Sequence, residues 1–259
     1  MINAENVRKV FTNRKNRQLV AIDKLNLQVR EKEFVTILGP SGCGKSTFLL
    51  LAAGLDKATE GRIMIDGESV SGPDPKLAIV FQEYLLFPWK TVKGNVEFGP
   101  EMRGIGKKER RKISSKYIDL VRLKKFENRY PHELSGGMKQ RVAIARALAN
   151  EPKVMLMDEP FGALDALTRE MLQLELLRIW QEAKCTVLFV THSINEAIYL
   201  SDRVMVMSKR PGKIKSALTI DIPRPRTRAV LTKPEFIGYE QRLRDMVWEE
   251  IQELPNNEI

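Results

Sequence analysis

Cysteine and histidine are scarce in this chain, and it has no long apolar run. Its 259 residues include two cysteines and two histidines. Because Cys43 and Cys185 lie far apart in the chain, we expect no disulfide framework and a reducing compartment. The longest apolar run, FLLLAAGL, is too short to span a bilayer, and the first residues, MINAENVRKVF, lack the apolar core of a signal peptide. We therefore expect a soluble protein whose membrane contacts go through a partner.

The composition is otherwise that of a globular protein with a basic surface. Hydrophobic residues make up 43% and charged residues 29% of the chain, whose net charge is +10. A basic balance suits nucleic acid, anionic lipid or nucleotide partners, but it also describes an ordinary solvated surface. The positive residues are scattered, with small clusters at Lys107–Lys112 and Arg224–Arg228. Composition alone leaves these alternatives open.

The order of apolar patterns predicts an α/β fold with a helical insertion. Residues 19–38 read as two strands around the polar turn Arg30–Glu33, and further short strands are predicted at 61–70 and 76–82. From about residue 91 to 150 the chain is charged, glycine-punctuated and helical in period. Short apolar runs then alternate with amphipathic helices, which is typical of a mainly parallel sheet covered on both faces.

A glycine-rich motif predicts a phosphate-binding loop. The segment GPSGCGKST fits G-x-x-x-x-G-K-[ST] from Gly39 to Ser46, and it lies between an apolar run and a helical stretch, as this motif requires. The glycines let the loop aim backbone N–H groups at phosphates. Lys45 would reach the β- and γ-phosphates and Ser46 would hold Mg²⁺, whereas Cys43 only fills the loop.

Polar side chains follow three other apolar runs, where strands of a parallel sheet would end. Asp158 and Glu159 close VMLMDEP, His192 closes LFVTH, and Gln82 closes LAIVFQ. At these positions Asp158 suits a Mg²⁺ shell and Glu159 can orient or deprotonate a water. His192 would face the γ-phosphate, and Gln82 would contact Mg²⁺ or the water.

A second candidate anion site begins at Ser135. Ser135, Gly136 and Gly137 open a helical pattern, and a helix N-terminus with small residues can bind phosphate. The loop at Gly39 already surrounds one triphosphate, so two interpretations remain. The glycines are only a helix-start turn, or they bind a nucleotide held by another copy of the protein.

Together these motifs resemble the ATP-binding subunit of an ABC transporter, from about Asn3 to Pro225. The resemblance depends on GPSGCGKST, Gln82, LSGGM, VMLMDEP, ALDA at 163–166 and TH at 191–192, in that order. The stretches VFQEYLLFPWKTVKGNV, YPHELSGGMKQRVAIARAL and VMSKRPGKI further resemble the nitrate, sulfonate and taurine importer family.

The resemblance implies an ATPase with ATP and Mg²⁺ as cofactors and assigns roles to individual residues. The catalytic residues would be Glu159 as the base, with His192 and Gln82. Mg²⁺ would be bound by Ser46, Gln82 and Asp158. The nucleotide would be bound by an adenine-stacking Phe11, by the loop residues Gly39, Pro40, Ser41, Gly42, Cys43, Gly44, Lys45, Ser46 and Thr47, and across a dimer by Ser135, Gly136, Gly137 and Asp165.

The resemblance also implies partners, a location and domain boundaries. A second copy would form a head-to-tail dimer with ATP, and two membrane permease subunits would contact about Gln82–Trp89, with a solute-binding protein acting indirectly. No nucleic acid is expected, and the protein would lie peripherally on the cytoplasmic face of the inner membrane. The ATPase domain would span 1–225 and combine a P-loop core of mainly parallel sheet with an N-terminal antiparallel β lobe and a helical subdomain inserted at about 91–150. A helical tail would follow at 226–259, after a linker-like stretch at 222–228.

Other functional classes fit the chain less well. A P-loop kinase or GTPase needs no LSGG segment, and the alternative of a non-transport ABC ATPase acting on nucleic acid depends on the basic charge alone. Three residues depart from the family pattern: Met138 replaces glutamine, Lys32 replaces a turn glycine, and Ser193 replaces an acid. None of the three belongs to the inferred chemistry.

Overall fold

The computed structural model describes residues 1–13 and 15–252. It divides into two compact units, one formed by Met1–Asp74 with Thr186–Ile259 and the other by Pro75–Cys185. Residues 253–259, the end of the predicted tail, lie outside the described part of the chain. The predicted domain boundary at residue 225 stays a prediction, because the two units divide the chain elsewhere.

The first unit contains an antiparallel sheet with the strand order β2-β1-β4-β5. Its strands are β1 (Ile2–Thr12), β2 (Gln18–Val29), β4 (Glu60–Ile65) and β5 (Glu68–Ser69). The single strand predicted at 61–70 is wrong in one respect, since Asp66 and Gly67, both with positive φ, break it into a hairpin. This sheet is the predicted N-terminal antiparallel lobe.

A second set of strands in the first unit is mainly parallel. It comprises β3 (Phe34–Leu38), β8 (Thr186–Thr191), β9 (Arg203–Met207) and β10 (Ile214–Thr219). Strand β3 pairs in parallel with β8 and β9, and β10 closes the set antiparallel to β9. Every residue of β3 and β8 is buried, as expected for strands covered on both faces. The helices of this unit are α1 (Lys45–Ala52), α6 (Ile194–Leu200) and α7 (Pro234–Gln252).

The second unit is largely helical. Its strands β6 (Leu77–Val80) and β7 (Val154–Asp158) pair in parallel. Its helices are α2 (Val92–Met102), α3 (Lys107–Leu120), α4 (Gly136–Leu148) and α5 (Ala166–Ala183), with 3₁₀ turns at Lys124–Phe126 and Pro131–Glu133. The helical period predicted for about 91–150 therefore corresponds to α2, α3 and α4.

The turn before β3 contains Lys32, one of the three departures from the family pattern. Lys32 adopts a φ of 59°, in the left-handed region that glycine enters at least cost, so glycine suits this position. Its backbone N–H donates to Oγ1 of Thr186 at 2.9 Å. The contact holds the turn in place although the residue is not glycine.

The segment 222–228 is not the loose linker that its composition suggests. Arg226 is only 4% exposed, and its guanidinium donates to backbone carbonyls. The five acceptors are the carbonyls of Ile198, Tyr199, Ser201, Ile220 and Ile222. Three of them, the carbonyls of Ile198, Tyr199 and Ser201, lie in the last turn of α6 and at its C-cap, so Arg226 supplies donors to a helix C-terminus and ties the segment to it.

Within residues 1–13 and 15–252, no helix combines the length and the apolar character needed to cross a bilayer.

Candidate functional site

The predicted phosphate loop connects β3 to α1. Gly44 caps α1 with a φ of 111°, and a Cβ there would come within 2.9 Å of the carbonyl oxygen of Ala21. A side chain is therefore excluded both by backbone conformation and by space. The loop delivers the chain into the first turn of α1, where backbone N–H groups point outward as anion donors.

Lys45 places its positive charge on the loop itself. The side chain is 4% exposed, and its Nζ donates to the carbonyl oxygens of Gly39 and Pro40, both at 2.9 Å. Ser46 is exposed and Thr47 half-buried on the same turn. The buried Cys43 has its Sγ 3.1 Å from where a Cβ of Gly39 would stand, as expected for a residue that fills the loop.

Arg210 is a further residue at the loop, and sequence reasoning assigned it no role. Its Nε and Nη2 both donate to the carbonyl oxygen of Gly42, at 3.2 and 3.0 Å. Arg210 is exposed and precedes a cis peptide bond to Pro211. Arg210 belongs to the stretch VMSKRPGKI, which resembles the importer family, so the sequence marks this stretch as characteristic of the family. The sequence does not indicate that Arg210 contacts the loop.

His192 lies at the same sheet edge as the phosphate loop. Leu38 and Thr191 are register partners in the parallel pair of β3 and β8, so Gly39 and His192 each follow directly after a paired residue. His192 is exposed. Ser193, the second departure from the family pattern, caps α6 by accepting from the backbone N–H of Glu196 at 3.4 Å.

Phe11 is exposed on the hairpin of β1 and β2. Its side chain is 41% exposed, and Nζ of Lys9 lies 4.9 Å from the ring centroid. In the pairing of the two strands Phe11 faces Leu19, two residues before Ala21, whose carbonyl meets the loop glycine. The hairpin thus runs from the predicted adenine-stacking ring toward the phosphate loop.

In the second unit, Gln82 and the two carboxylates follow paired strands. Val80 of β6 is the register partner of Met157 of β7, so the two strands end at the same edge of the sheet. A Cβ on Gly162 would lie 3.2 Å from Nε2 of Gln82 and 3.4 Å from the carbonyl oxygen of Glu159, which places both next to one glycine.

Glu159 has an unusual backbone. Its φ is 42°, a region that non-glycine residues seldom occupy, and its carbonyl accepts from the N–H of Gly162 at 3.0 Å. Strain of this kind is found at functional sites, where surrounding structure over-determines the conformation. The conformation turns the chain directly after Asp158, the last residue of β7.

Ser135 and the two glycines form the start of α4. Oγ of Ser135 accepts from the N–H of Met138 at 3.3 Å, which is an N-cap. A Cβ on Gly136 would come within 3.0 Å of the Tyr84 hydroxyl, and one on Gly137 within 2.9 Å of Cγ2 of Thr168. The glycines therefore have a local packing reason within the unit, while Ser135 itself remains exposed.

Asp165 lies close to this helix start. It caps α5, and its carboxylate accepts from the N–H of Thr168, at 3.1 Å. Hydrogen bonding to Thr168 lowers the pKa of the Asp165 carboxyl below its ordinary value. Because Thr168 also contacts the Gly137 position, the structure brings Asp165 and the LSGGM segment together.

The site residues thus fall into two sets, one in each unit. The loop, His192 and Phe11 belong to the first unit, whereas Gln82, Asp158, Glu159, Ser135 and Asp165 belong to the second. A family model described as ABC transporter matches residues 22–162, which include the loop, Gln82, the LSGGM segment and both carboxylates. The chain belongs to the ABC transporter family.

Curated relatives and a solved structure agree with this assignment over most of the chain. The nitrate import ATP-binding protein NrtD of Synechocystis is 47% identical over 92% of this chain and 92% of its own length. The aliphatic sulfonates import ATP-binding protein SsuB of Bacillus cereus is 48% identical over 88% of this chain and 89% of its own length.

The solved structure is a dimeric post-hydrolysis state of the ATP-binding cassette MJ0796 bound to ADP and Pi. It matches with a TM-score of 0.75 and 36% identity, over 86% of this chain and all of that chain. The predicted α/β fold with an N-terminal antiparallel lobe is confirmed. This member of the ABC transporter family is an ATP-binding ATPase, and the individual roles of its site residues stay predictions.

Proposed function

We propose that this ABC protein powers an importer for a small solute such as nitrate, a sulfonate or taurine. The proposal is supported by the placement of the motif residues together with the names of the relatives. The motif residues lie at strand ends and helix starts, and relatives named for nitrate and for sulfonate import share almost half of their residues with this chain. Because the two relatives are about equally similar to the chain, identity does not choose between their solutes.

Each candidate site residue of the first unit has a proposed role in binding ATP. Phe11 stacks on adenine through the ring face away from Lys9. The loop N–H groups and the first turn of α1 hold the phosphates, and Lys45 exchanges its carbonyl partners for phosphate oxygens. His192 donates to the γ-phosphate from the sheet edge that it shares with the loop.

The second unit supplies the hydrolytic groups. Glu159 takes a proton from the attacking water, and Gln82 orients that water. Mg²⁺ prefers a few oxygen ligands together with substrate phosphates, and the oxygens of Ser46, Gln82 and Asp158 fit that donor set. The ion would neutralise charge that develops on the transferred phosphoryl group.

A second copy completes the site. Two copies pair head to tail, so that Ser135 and the glycines of one copy contact the γ-phosphate held by the other, and Asp165 bridges the copies. Ser135 is exposed at the start of α4, a position from which it can meet a ligand outside its own chain. Nucleotide binding then favours the closed pair, and hydrolysis removes contacts that hold it closed.

The segment Gln82–Trp89 is proposed to contact the permease on the cytoplasmic face of the inner membrane. A cavity of about 790 Å³ is lined by Gln82–Leu86 together with Pro131, His132, Lys139 and Ala163. Leu85 is 52% and Trp89 71% exposed. An open cavity beside exposed apolar side chains suits an inserted segment of a protein partner. The solute-binding protein acts through the permease.

Two polar side chains, Asn95 and Arg146, hold this segment in shape. Asn95 is fully buried, accepts from the N–H of Phe87 at 2.8 Å, and donates to the carbonyls of Phe87, Lys90 and Thr91. Arg146 of α4 donates to the carbonyls of Tyr84 and Leu85 at 3.1 and 2.6 Å. The segment is thus attached to the helix that begins at Ser135, which gives a physical route between permease and nucleotide.

The test is Glu159→Gln. We expect it to bind ATP, to lower turnover by about 10²–10⁴-fold, and to accumulate as a dimer in light scattering with ATP. Glu182→Gln makes the same change at an exposed position of α5 and should behave as the native chain. Lys45→Ala should instead lose nucleotide binding. A Glu159→Gln chain that stays monomeric at saturating ATP contradicts the shared site.

The solute is identified by a separate measurement. The chain is co-purified with its permease, and ATP hydrolysis is measured with the binding protein against nitrate, sulfonates, taurine, bicarbonate and pyrimidine precursors. The solute that raises hydrolysis is the substrate. The alternative of an ATPase acting on nucleic acid has no support among the relatives described above, and a mobility shift with nucleic acid at physiological salt would restore it.

A further inference from the structure

Most of the net charge of the chain is concentrated in one short segment of the second unit. Residues 103–125 hold ten lysines and arginines and two acidic residues, a net charge of +8 out of +10 for the whole chain. The nucleotide chemistry uses none of them. The segment comprises α3 with the turns on either side, so it forms a local surface within one unit.

Helix α3 presents its basic residues on its outer side. Ser114, Tyr117 and Ile118 are buried and define the inner side. Lys108, Arg111 and Lys112 follow the i, i+3, i+4 spacing of one helix face, and Lys107 lies one turn before Arg111. All four are exposed. We call Lys107, Lys108, Arg111 and Lys112 the α3 basic face.

This face is mostly not neutralised by acidic side chains of the chain itself. Arg110, on the inner side, has Glu97 and Glu101 as partners at 3.3 and 3.1 Å. Of the four residues of the basic face, only Lys112 has an ion pair within the part of the chain that the structure describes, with Glu109 at 3.1 Å. The remaining charge is available to an anionic partner.

Exposed apolar side chains flank the charge on both sides. Met102, at the end of α2, is 65% exposed, and Phe126, in the 3₁₀ turn after α3, is 39% exposed. Basic residues with a few apolar neighbours are typical of surfaces that bind the headgroup region of anionic membranes.

We propose that the α3 basic face binds the headgroups of anionic lipids beside the permease. The choice of a lipid surface over nucleic acid rests on the proposed function, which puts the chain at a membrane. The short path from the permease-contact segment to the basic region also favours a lipid surface. Helix α2 has 11 residues, about 16 Å, and is the connection from the Gln82–Trp89 segment to the start of the basic region.

The contact adds to the permease contact and does not replace it. The sequence predicts that membrane contacts go through a partner, because its longest apolar run is too short to span a bilayer. Electrostatic binding needs no such segment. Each lysine or arginine near an anionic surface raises binding about fivefold at physiological salt, so four residues are enough for a measurable effect without insertion.

The experiment measures binding of the purified full chain to lipid vesicles by flotation. The vesicles are phosphatidylcholine alone or phosphatidylcholine with about one third phosphatidylglycerol. The variant Lys107→Gln, Lys108→Gln, Arg111→Gln, Lys112→Gln is compared with a control in which Lys24, Arg30, Lys32 and Lys233 become glutamine. These control residues are exposed in the first unit, so both variants lose the same net charge.

We expect the native chain and the control to bind the anionic vesicles and not the neutral ones. The α3 variant should bind at least tenfold more weakly, and about 0.5 M salt should abolish the difference, since screening shortens the Debye length to a few ångströms. Equal losses in the two variants, or no preference of the native chain for anionic vesicles, would overturn the proposal. Binding of a DNA or RNA duplex is measured with the same variants. If the α3 variant loses duplex binding but binds the vesicles as the native chain does, the proposal is also overturned.

ATP hydrolysis separates this inference from the proposed function. The four α3 residues lie outside the nucleotide site, so the α3 variant should hydrolyse ATP at the native rate and unfold at the native temperature. A native chain that hydrolyses ATP but ignores anionic vesicles refutes the lipid contact alone. A native chain without ATP hydrolysis refutes the proposed function instead.

Discussion

Arg146 allows the clearest test of how the permease-contact segment is held. Its guanidinium donates to the carbonyls of Leu85 and Tyr84 at 2.6 and 3.1 Å, and it lies 5.8 Å from the ring centroid of Phe87. Burial lowers the pKa of Arg146 below its ordinary value, so the charge costs desolvation energy that the two carbonyls offset. The perturbation is Arg146→Met, which keeps the apolar stem and removes both donors.

The expected magnitude follows from these contacts. A hydrogen bond from a charged donor contributes about 1.5–3 kcal/mol, with the lower end expected here because water can reach the exposed Leu85 carbonyl once the donor is removed. Relief of the desolvation of Arg146 offsets part of this loss. We expect the free energy of unfolding to fall by about 3 kcal/mol for Arg146→Met. Arg146→Lys, which can reach one carbonyl, should lose roughly half as much.

Urea unfolding followed by tryptophan fluorescence measures the effect. With a slope of about 3 kcal/mol per molar urea, the midpoint should move by roughly 1 M. Arg141→Met is the matched control, because Arg141 lies on the same helix and makes no hydrogen bond or ion pair with the described residues. A loss no larger than that of Arg141→Met would refute the argument.

A second readout concerns function. Because Arg146 attaches the segment to α4, its loss should reduce the stimulation of ATP hydrolysis by permease more than basal hydrolysis by the isolated chain. If both rates fall by the same factor, Arg146 acts only on stability.

Three further results are expected. Ser135→Arg should leave ATP binding by single chains within about twofold while abolishing hydrolysis, measured by nucleotide titration and phosphate release, because Ser135 is proposed to meet the nucleotide of the other copy; equal loss of both would place Ser135 in its own site. Arg226→Met should lower the free energy of unfolding by about 2–4 kcal/mol in urea, since it leaves buried carbonyls without a donor, and a loss under about 1 kcal/mol would contradict the anchoring role. Burial raises the pKa of the Cys185 thiol from 9.0 to about 11. In the unfolded chain this thiol loses its proton first as the pH rises from about 9 to 11, so the native chain should lose about 2 kcal/mol of stability over that window relative to Cys185→Ala. Parallel pH profiles for the two chains would contradict the raised pKa.

Much of the candidate site could be predicted from the sequence because its signals are local. Strands β3, β7 and β8 are short apolar runs, and each is followed at once by a segment or residue of the candidate site: the glycine loop, Glu159 or His192. Parallel pairing then brings strand ends to one edge, as the register of Leu38 with Thr191 illustrates. Residue type, spacing and apolar context were enough to locate these groups.

Local boundaries were less predictable. The stretch 61–70 reads as one strand, yet the structure turns the chain at Asp66 and Gly67. The stretch 222–228 reads as a linker, yet Arg226 fixes it to the end of α6. The turn is a local signal, since Asp-Gly favours a two-residue hairpin loop. The contacts of Arg226, in contrast, are made with other parts of the chain, and a window of sequence does not contain them.

The sequence by itself determined the ABC family, the fold class and the identity of the chemical groups, because glycine, lysine, carboxylate and histidine side chains have specific chemistry at specific spacings. Only the tertiary structure decided which residues hold the phosphate loop, the Gln82–Trp89 segment and the stretch 222–228 in position. Asn95, Arg146, Arg210 and Arg226 all act on backbone carbonyls. Every residue carries a carbonyl, so the acceptor leaves no mark in the sequence, and folding alone selects which one each donor meets.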